Sequence, residues 1–329
     1  MKLVTFKEPS GRTAPGALHS ESGEIVDLGT RFPDMLALIR AGEEGLAESR
    51  HIVSKRSSVH RVENVKLLAP LPVPESIRDC SVFEQHLKNA AKFMAGSKSA
   101  PGQEGGLAGV PPLWYRQPPY YKGNRFSVIG PQQDIIWPPS CERLDFELEV
   151  AIVIGRQGRD IPRARGHEYI FGYMIFNDMS ARDFQALDMQ QRLGPAKGKD
   201  FDTGNVMGPW LVTHDEIADP YALTMTARLN GEHIGGGSTA DMYHKWDAII
   251  EFISRDETLY PGEVIGSGTV GGGTLFEHGR ALRPGDVIEF EVTGLGTLRN
   301  RVVRQADQSE PQGQELGARA VARRQGQGQ

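Results

Sequence analysis

The residues best suited to chemistry form an alternating acidic run between residues 145 and 149. Asp145, Glu147 and Glu149 alternate with Phe146 and Leu148, and an apolar stretch continues to residue 154. Alternate side chains of a strand share one face, about 6–7 Å apart along the backbone, so the three acids are expected to converge. An exposed edge strand is the simplest alternative for an isolated D-x-E-x-E pattern, but the apolar continuation argues against exposure.

Burying like charges without partners is costly, because each carboxylate loses hydration and repels the others. A hard divalent cation such as Mg²⁺, Mn²⁺ or Ca²⁺ removes this cost with oxygen ligands alone. A further acid, Asp178, follows an apolar run at residues 171–176, and Ser180 stands where it can cap a following helix. Asp178 therefore suits a metal ligand at a strand end, although a turn or capping role fits this segment equally well.

Composition limits the kinds of partner. The chain has 329 residues, a formal net charge of −5, 39% hydrophobic residues and 24% charged residues, which is typical of a globular protein with a well-buried core. The negative charge argues against nucleic acids and anionic membranes as partners. No apolar run reaches the length of about 18 residues that a membrane-spanning helix needs.

The predicted compartment is the cytoplasm. Residues 1–6 lack the long apolar core and the small-residue cleavage site of a signal peptide. Cys80 and Cys141 are the two cysteines of the sequence, too few for a disulfide framework or a zinc site. A reducing environment is the simplest interpretation of this cysteine content.

The chain divides at a proline-rich segment, residues 69–74, where proline at alternate positions excludes a helix or a central strand. We predict a small N-terminal domain at 1–70, a main domain at 71–305 and a polar C-terminal tail at 306–329. Before the prolines, the pattern predicts strands at 2–6, 24–28 and 65–68, with a helix at 33–41 that Gly42 ends. Beyond them, it predicts helices at 84–95, 181–192 and 245–255, and strands at 147–154, 173–176, 210–213, 223–229, 264–266 and 287–292.

Several motifs, taken together, carry a family resemblance. The segment D-F-E-L-E-V-A-I-V-I-G (145–155), followed by F-N-D-M-S-A-R-D-F-Q (176–185), resembles the fumarylacetoacetate hydrolase family. Most of the chain takes part, through K-L-L-A-P-L-P (66–72), N-G-E (230–232), S-T-A-D-M (238–242), G-S-G-T-V-G (266–271) and L-R-P-G-D-V-I-E (282–289). The resemblance implies an α+β, β-rich fold: a mixed β-sandwich roll with a small N-terminal domain, usually assembled as a homodimer.

The resemblance also implies the residues of the site. A divalent cation, Mg²⁺ in the first instance and otherwise Mn²⁺ or Ca²⁺, is expected on Glu147, Glu149 and Asp178, with Asp79 as a fourth ligand. Lys199 and Thr203 are similar to residues near the metal in that family. Contacts with a small oxo-acid substrate are expected from Tyr121, Arg182, Gln185 and Thr269.

A general base is expected at His86, seven residues after Asp79. A lone histidine is more often structural, but this spacing is similar to that of fumarylacetoacetase, in which the histidine is the base. Glu84 has the wrong helical spacing to orient His86, and Asn89 carries no charge. A carboxylate from elsewhere is therefore required, and Glu277 resembles the family's partner residue.

Three positions depart from the fumarylacetoacetase pattern. Ser81 and Met189 stand where that enzyme has tyrosines, and Ala95 stands where it has an arginine. We therefore expect weak action on fumarylacetoacetate and better action on shorter acylpyruvates.

Two further patterns were weighed. The glycines at 266–271 fit G-x-G-x-x-G, but a dinucleotide site needs a helix directly after them, and here more glycines and a strand follow. That interpretation is rejected. The aromatic and cationic segment at 111–123 suits a packed surface loop and the mouth of an organic-acid site equally well.

The predicted function is metal-dependent hydrolysis of a carbon–carbon bond in a small β-diketo or acylpyruvate-type acid. His86 would take a proton from water, and Lys199, with help from Gln185, would stabilise the oxyanion. The alternative within the family is an isomerase or decarboxylase of a related dioate, such as 2-hydroxyhepta-2,4-diene-1,7-dioate. A non-catalytic metal-binding scaffold is the alternative from another class.

Overall fold

The computed structural model describes residues 1–19, 22–56, 58–96 and 110–304, with the backbone alone described at 93–96. The predicted tail at 306–329 lies outside these residues. The strands are β1 (Lys2–Lys7), β2 (Thr13–His19), β3 (Glu24–Asp27), β4 (Val59–Arg61), β5 (Lys66–Leu68), β6 (Ile77–Cys80), β7 (Tyr120–Gly123), β8 (Val128–Ile129), β9 (Ile135–Trp137), β10 (Leu144–Asp145), β11 (Leu148–Ile154), β12 (Gly158–Arg159), β13 (Ile170–Asp178), β14 (Ser180–Ala181), β15 (Asn205–Thr213), β16 (Thr224–Leu229), β17 (Glu232–Ser238), β18 (Thr258–Leu259), β19 (Val264–Gly266), β20 (Val287–Val292) and β21 (Gly296–Arg304). The helices are α1 (Met35–Arg40), α2 (Gly42–Lys55), α3 (Glu84–Gly96), α4 (Arg182–Gln190), α5 (Ala196–Lys199) and α6 (Trp246–Ser254). This content confirms the predicted β-rich α+β class.

One large sheet organises the fold. Its order is β4-β3-β2-β1-β15-β13-β11-β19-β6-β7, with β5 beside β1 and β8 beside β15. A separate sheet of five strands has the order β17-β16-β20-β21-β9. The adjacent strands β11 and β13 are buried along their whole length, which explains their nearly continuous apolar sequence.

The large sheet is covered on both faces. Along β11, Val150 and Ile152 point into a core that includes Phe290 of the five-stranded sheet. The alternate residues Ala151 and Val153 belong to a second core that contains buried residues of α1 and α2. Successive side chains of a strand point to opposite faces, so two layers bury the strand completely.

The N-terminal strands belong to the same large sheet. β1 pairs antiparallel with β15, with Leu3 opposite Leu211. The backbone hydrogen bonding is therefore continuous between residues 1–70 and the rest of the fold, and the proposed domain division stays a prediction. No helix in the described ranges is long and apolar enough to cross a membrane.

The predicted helix end before Gly42 is confirmed, since α1 ends at Arg40 and Gly42 has φ of +56°. Three features depart from the sequence pattern. Helix α2 follows at once, and it buries so few residues that its apolar pattern is weak. The strand Thr13–His19 contains Pro15 and Gly16, which are unusual in strands. The predicted continuous acidic strand breaks between Asp145 and Leu148.

Candidate metal centre

Four neighbouring strand segments bring the buried acids together. Gly266 of β19 lies between Asp79 of β6 and Ala151 of β11 in the pairing register. β11 pairs on its other edge with β13, whose last residue is Asp178. One carboxylate oxygen from each of Asp79, Glu147, Glu149 and Asp178 lies within 4.8 Å of the others. The three predicted principal ligands and the predicted fourth are therefore adjacent in space.

Asp145 does not join this cluster. Its Oδ2 accepts a hydrogen bond from Arg182 Nη2 at 2.8 Å, and its Oδ1 accepts one from the Leu275 backbone N–H at 3.0 Å. Arg182 also donates to Glu147 Oε1 at 2.6 Å. Phe146, Leu148 and Val150 lie together in the core, as strand alternation predicts, but the contacts with Arg182 and the Leu275 backbone hold Asp145 outside the group of four acids.

Lys199 lies inside the cluster. It is 2% exposed, and its Nζ lies 2.8 Å from Glu147 Oε2 and 2.6 Å from Asp178 Oδ2. Nζ also lies 2.7 Å from Ser180 Oγ and 3.1 Å from the Asp178 carbonyl oxygen. Burial lowers the pKa of Lys199, but the carboxylates of Asp178 and Glu147 outweigh burial, so the pKa is raised and the ammonium stays charged.

The pKa of Glu147 moves in the opposite direction from those of the other three acids. Burial raises it, but Lys199 and Arg182 outweigh burial, so the pKa of this carboxyl is lowered. Burial raises the pKa of Asp178, and burial with the neighbouring carboxylates raises the pKa values of Asp79 and Glu149 well above their usual range. Within the described ranges, the ion pairs of the cluster go to Glu147 and Asp178, and none goes to Asp79 or Glu149.

The arrangement fits a hard divalent cation. Asp178 Oδ1 is buried and has no hydrogen-bond partner, although Oδ2 of the same carboxylate accepts from Lys199 and from Tyr121. The four acids offer oxygen donors alone, the ligand type that Mg²⁺, Mn²⁺ and Ca²⁺ prefer. A cation held by Asp79, Glu147, Glu149 and Asp178 would satisfy the orphan oxygen and supply the missing positive charge.

Two glycines allow the acids to approach closely. A Cβ atom on Gly266 would lie 2.3 Å from Asp79 Oδ1 and 3.0 Å from Glu149 Oε2. Gly268 has φ of +76°, and its N–H donates to Asp79 Oδ1 at 3.1 Å and to Glu149 Oε2 at 3.0 Å. The glycine-rich run therefore makes room for the Asp79 and Glu149 carboxylates and donates a hydrogen bond to each. This use of the glycines agrees with the rejection of a dinucleotide site.

The predicted substrate-contacting residues border the cluster. Tyr121 donates from its hydroxyl to Asp178 Oδ2 at 2.6 Å. Thr269 Oγ1 lies 3.5 Å from Glu149 Oε1, and Gln185 Oε1 accepts from Arg182 Nη1 at 2.9 Å. The structure thus brings Tyr121, Arg182, Gln185 and Thr269 to the metal-ligand residues or their ion-pair partners, while their contacts with substrate stay a prediction.

Thr203 is placed differently. Its Oγ1 accepts a hydrogen bond from the Ile136 backbone N–H at 2.9 Å, and its backbone has φ of +65°. Among the contacts of the described residues, none joins Thr203 to the four acids. The Thr203 hydroxyl therefore binds the backbone of β9, and these contacts do not support a role for Thr203 beside the metal.

His86 and Glu277 meet although they are far apart in sequence. His86 Nδ1 lies 3.4 Å from Glu277 Oε2, and the Glu277 side chain is 1% exposed. Glu277 follows Thr274, whose hydroxyl donates to Oε2 at 2.9 Å. Burial raises the pKa of Glu277, but the contact with His86 and further hydrogen bonds outweigh it and lower that pKa. The predicted pair is therefore adjacent, with the His86 Nε2 atom left free of this contact.

Sequence reasoning missed the contributions of Ser180 and Asn89. The sequence predicts a helix cap at Ser180, yet its hydroxyl lies 2.7 Å from Lys199 Nζ. Asn89 carries no charge to orient His86, yet its Nδ2 donates to Glu277 Oε1 at 2.9 Å. The spacing of three residues between His86 and Asn89 was visible, but the partner across the fold was not.

A second group of potential ligands has one guanidinium for its two carboxylates. Oxygen and nitrogen atoms of Glu8, Asp27 and His60 approach one another in the N-terminal strands. Arg12 Nη1 lies 2.5 Å from Glu8 Oε1 and 2.8 Å from Asp27 Oδ2. This group offers two carboxylates against four in the cluster around Glu149, so the latter is the better site for a hard divalent cation.

Comparison with known proteins agrees with the geometry. Residues 82–303 match the family model for the C-terminal region of fumarylacetoacetate hydrolase. A mitochondrial oxaloacetate tautomerase of Rattus norvegicus is 31% identical over 309 residues, covering 92% of this chain and 92% of that protein. The chain belongs to the fumarylacetoacetate hydrolase family, which confirms the resemblance seen in the motifs.

Two solved structures show the same fold. A fumarylacetoacetate hydrolase of Exiguobacterium antarcticum aligns with a TM-score of 0.72 and 28% identity, covering 93% of this chain and 100% of that chain. A 5-carboxymethyl-2-hydroxymuconate delta-isomerase of Mycobacterium smegmatis aligns with a TM-score of 0.69 and 27% identity, with the same coverage of 93% and 100%. The predicted family roll is confirmed.

Glu149→Gln is expected to separate stability from metal binding. A carboxyl group whose folded pKa is raised contributes stability at low pH, and that stability is lost as the pH rises through the folded pKa. Glutamine does not ionise, so the variant does not lose stability as the pH rises. Without metal, it should melt about 2 °C or more above wild type at about pH 8. It should lack the stabilisation that metal gives wild type, about 2.7 kcal/mol at about 100 times Kd.

Calorimetry with EDTA and with Mg²⁺ or Mn²⁺ measures both effects. Glu232→Gln, which removes an exposed carboxylate paired with Arg280, is the matched control and should keep the metal response. Full metal stabilisation of Glu149→Gln would contradict the assignment of Glu149 as a ligand.

Gly266→Ala is expected to weaken metal binding about tenfold or more, since its new carbon displaces the Asp79 and Glu149 carboxylates. Isothermal titration with Mn²⁺ measures the affinity. Gly123→Ala in the same sheet is the control, because its added carbon meets no atom closer than 3.2 Å. Equal affinities for the two variants would show that close approach at Gly266 is unimportant.

Proposed function

We propose that the protein is a divalent-metal-dependent enzyme that transfers a proton on a small, enolisable oxo acid, as a tautomerase or isomerase does. The observation that carries the proposal is the ion-pair distance of 3.4 Å between His86 Nδ1 and the buried Glu277 carboxylate. This distance is longer than a well-formed hydrogen bond, and His86 Nδ1 is buried with no hydrogen-bond partner among the described residues. Glu277 is therefore the group placed to receive the Nδ1 proton, which leaves Nε2 as the general base. The names of the rat tautomerase and the mycobacterial isomerase support this reaction class.

The chemistry needs both parts of the site. When bound by Asp79, Glu147, Glu149 and Asp178, the cation would supply Lewis-acid polarisation of the substrate's oxo group. His86 Nε2 accepts a proton from the carbon atom next to that oxo group. The protonated imidazole then returns the proton to a different atom of the resulting enolate, either its oxygen or another carbon. Glu277 holds the Nδ1 proton and stabilises the imidazolium while it exists. Tyr121 and Thr269, beside the carboxylates, would orient the substrate's oxygen atoms.

Lys199 Nζ lies within hydrogen-bond distance of four acceptors on Glu147, Asp178 and Ser180. Two of these acceptors belong to the carboxylates that would hold the cation, so the ammonium would lie beside the cation in an isomerase and in a hydrolase. The stabilisation of an oxyanion by Lys199 stays a proposal.

Hydrolysis of a carbon–carbon bond in an acylpyruvate is the second candidate. The observation that favours it is again the buried carboxylate behind His86, since such a pair also activates water. The 28% identical fumarylacetoacetate hydrolase supports this candidate by name. The two candidates differ in product: isomerisation keeps the substrate's mass, whereas hydrolysis gives two acids.

His86→Ala and Glu277→Gln are each expected to lower turnover by about 10²-fold or more, because proton transfer loses its base or the group that orients the base. Metal affinity should stay nearly unchanged, since neither side chain is among the four acids. Turnover is measured as enol–keto conversion of oxaloacetate and as cleavage of acetylpyruvate, with Mn²⁺ titration of each variant. Near-wild-type turnover by His86→Ala would remove the histidine from the mechanism.

Substrate range follows from the departures at Ser81, Ala95 and Met189. We expect fumarylacetoacetate to be a poor substrate, with kcat/KM about tenfold or more below that of the best short oxo acid, since a missing charge or hydroxyl costs at least that factor. Competition assays with both substrates in one reaction measure the ratio. Selective turnover of fumarylacetoacetate would show that these replacements do not set specificity.

We also propose that the chain is a homodimer. The family resemblance supports this proposal, and Leu187 on α4 (58% exposed), Met189 (55%) and Leu193 (85%) are exposed apolar side chains that a second copy of the chain would cover. Multi-angle light scattering at micromolar concentration should give twice the chain mass. A single-chain mass would refute the proposal.

The cytoplasm stays the proposed compartment. Cys80 and Cys141 are both buried and unpaired, which suits a reducing environment. The rat relative is named as mitochondrial, so fractionation of cells into cytosol and organelles is the test, and recovery in an organelle fraction would overturn the assignment.

A further inference from the structure

The Glu277 carboxylate is held by hydrogen bonds at both oxygens. Oε1 accepts from Asn89 Nδ2 at 2.9 Å and from the Gly272 backbone N–H at 3.2 Å. Oε2 accepts from Thr274 Oγ1 at 2.9 Å and faces His86 Nδ1 at 3.4 Å. Gly272 and Thr274 belong to the loop that carries Glu277, whereas Asn89 lies on α3, the helix that carries His86.

Of the two contacts that join α3 to Glu277, the one from Asn89 is the better hydrogen bond. A good N–H···O hydrogen bond spans about 2.7–3.2 Å, so the Asn89–Glu277 contact at 2.9 Å is well formed, while His86–Glu277 at 3.4 Å is longer. Asn89 and Glu277 are 188 positions apart in sequence. The tertiary fold therefore brings α3 and the Glu277 loop together, and the Asn89–Glu277 hydrogen bond is the shorter of the two contacts between them.

The orientation of the Asn89 amide is itself fixed. Gln85, one helical turn earlier, donates from Nε2 to Asn89 Oδ1 at 2.7 Å. Since the amide oxygen accepts from Gln85, the amide nitrogen must face Glu277. Residues three apart lie on the same side of a helix, so Asn89 and His86 address the same carboxylate, one at each oxygen.

We propose that Asn89 is a positioning residue: it holds Glu277 so that Oε2 faces His86 Nδ1 and fixes α3 against the Glu277 loop. This inference rests on the proposed base pair but assigns a role to a residue that is neither a member of that pair nor one of the four acids. A cavity of about 350 Å³ borders the link and is lined by Asn89, Lys92, Gly272, Glu277 and His278. Water from this cavity can hydrate Glu277 when the amide is removed, so the fold should survive the substitution.

A double-mutant cycle tests the proposal. Asn89→Ala should lower kcat about tenfold with KM within about twofold, because the lost hydrogen bond is to a charged group and not to substrate. If Asn89 acts through Glu277, then Asn89→Ala combined with Glu277→Gln is no slower than Glu277→Gln alone. Losses that multiply, or an Asn89→Ala enzyme as fast as wild type, would overturn the proposal.

Asn89→Asp keeps the size of the side chain and places a second carboxylate against Glu277. We expect it to lower kcat at least as much as Asn89→Ala and to move the acid limb of the kcat pH profile upward, since added negative charge near the pair favours its protonated form. Lys88→Ala is the control on α3: its ammonium pairs with Glu84, and kcat should stay within about twofold of wild type. An unmoved acid limb in Asn89→Asp would indicate a structural role alone.

The same cycle measured on unfolding separates this inference from the proposed function. Urea denaturation of the two single variants and the double variant reports the Asn89–Glu277 link without any turnover. Coupled stability losses combined with unimpaired turnover in Glu277→Gln would reject the base pair but keep the link. Additive stability losses combined with an impaired Glu277→Gln would reject the link and keep the base pair.

Discussion

The architecture of the site depends on burying acidic groups with too little positive charge beside them. Asp79, Glu147, Glu149 and Asp178 are all under 10% exposed, and the cations in contact with them are Lys199 and Arg182, the latter shared with Asp145. Both cations lie on the Glu147–Asp178 side. The Asp79–Glu149 side has backbone N–H donors from Gly268 in place of a cation, and this imbalance raises the pKa of both carboxyl groups.

The strand order makes such a cluster possible. β6, β19, β11 and β13 are neighbours in one sheet, so acids from distant parts of the sequence reach the same point. Covering layers on both faces of the sheet exclude water, which raises the cost of the unbalanced charge. A divalent cation bound there would relieve that cost and would stabilise the folded state.

The sequence allowed the acids to be found because strand alternation is a local rule. It placed Glu147 and Glu149 correctly, and the apolar run before Asp178 marked the end of β13. Alternation alone could not show that Asp145 stays outside the group of four acids, because its partners Arg182 and Leu275 are distant in sequence. The contacts of Glu277 with His86 and Asn89 join segments almost 190 residues apart, so no local pattern could predict their distances, and only the family resemblance suggested the pair.

The most direct test of the metal centre is a crystal soaked with Mn²⁺ and measured for anomalous scattering at the manganese absorption edge. A cation held by the four acids gives one strong peak per chain, at about 2.0–2.3 Å from oxygens of Asp79, Glu147, Glu149 and Asp178. A crystal that shows no peak among these four carboxylates, or shows its strongest peak at Glu8, Asp27 and His60, would contradict it.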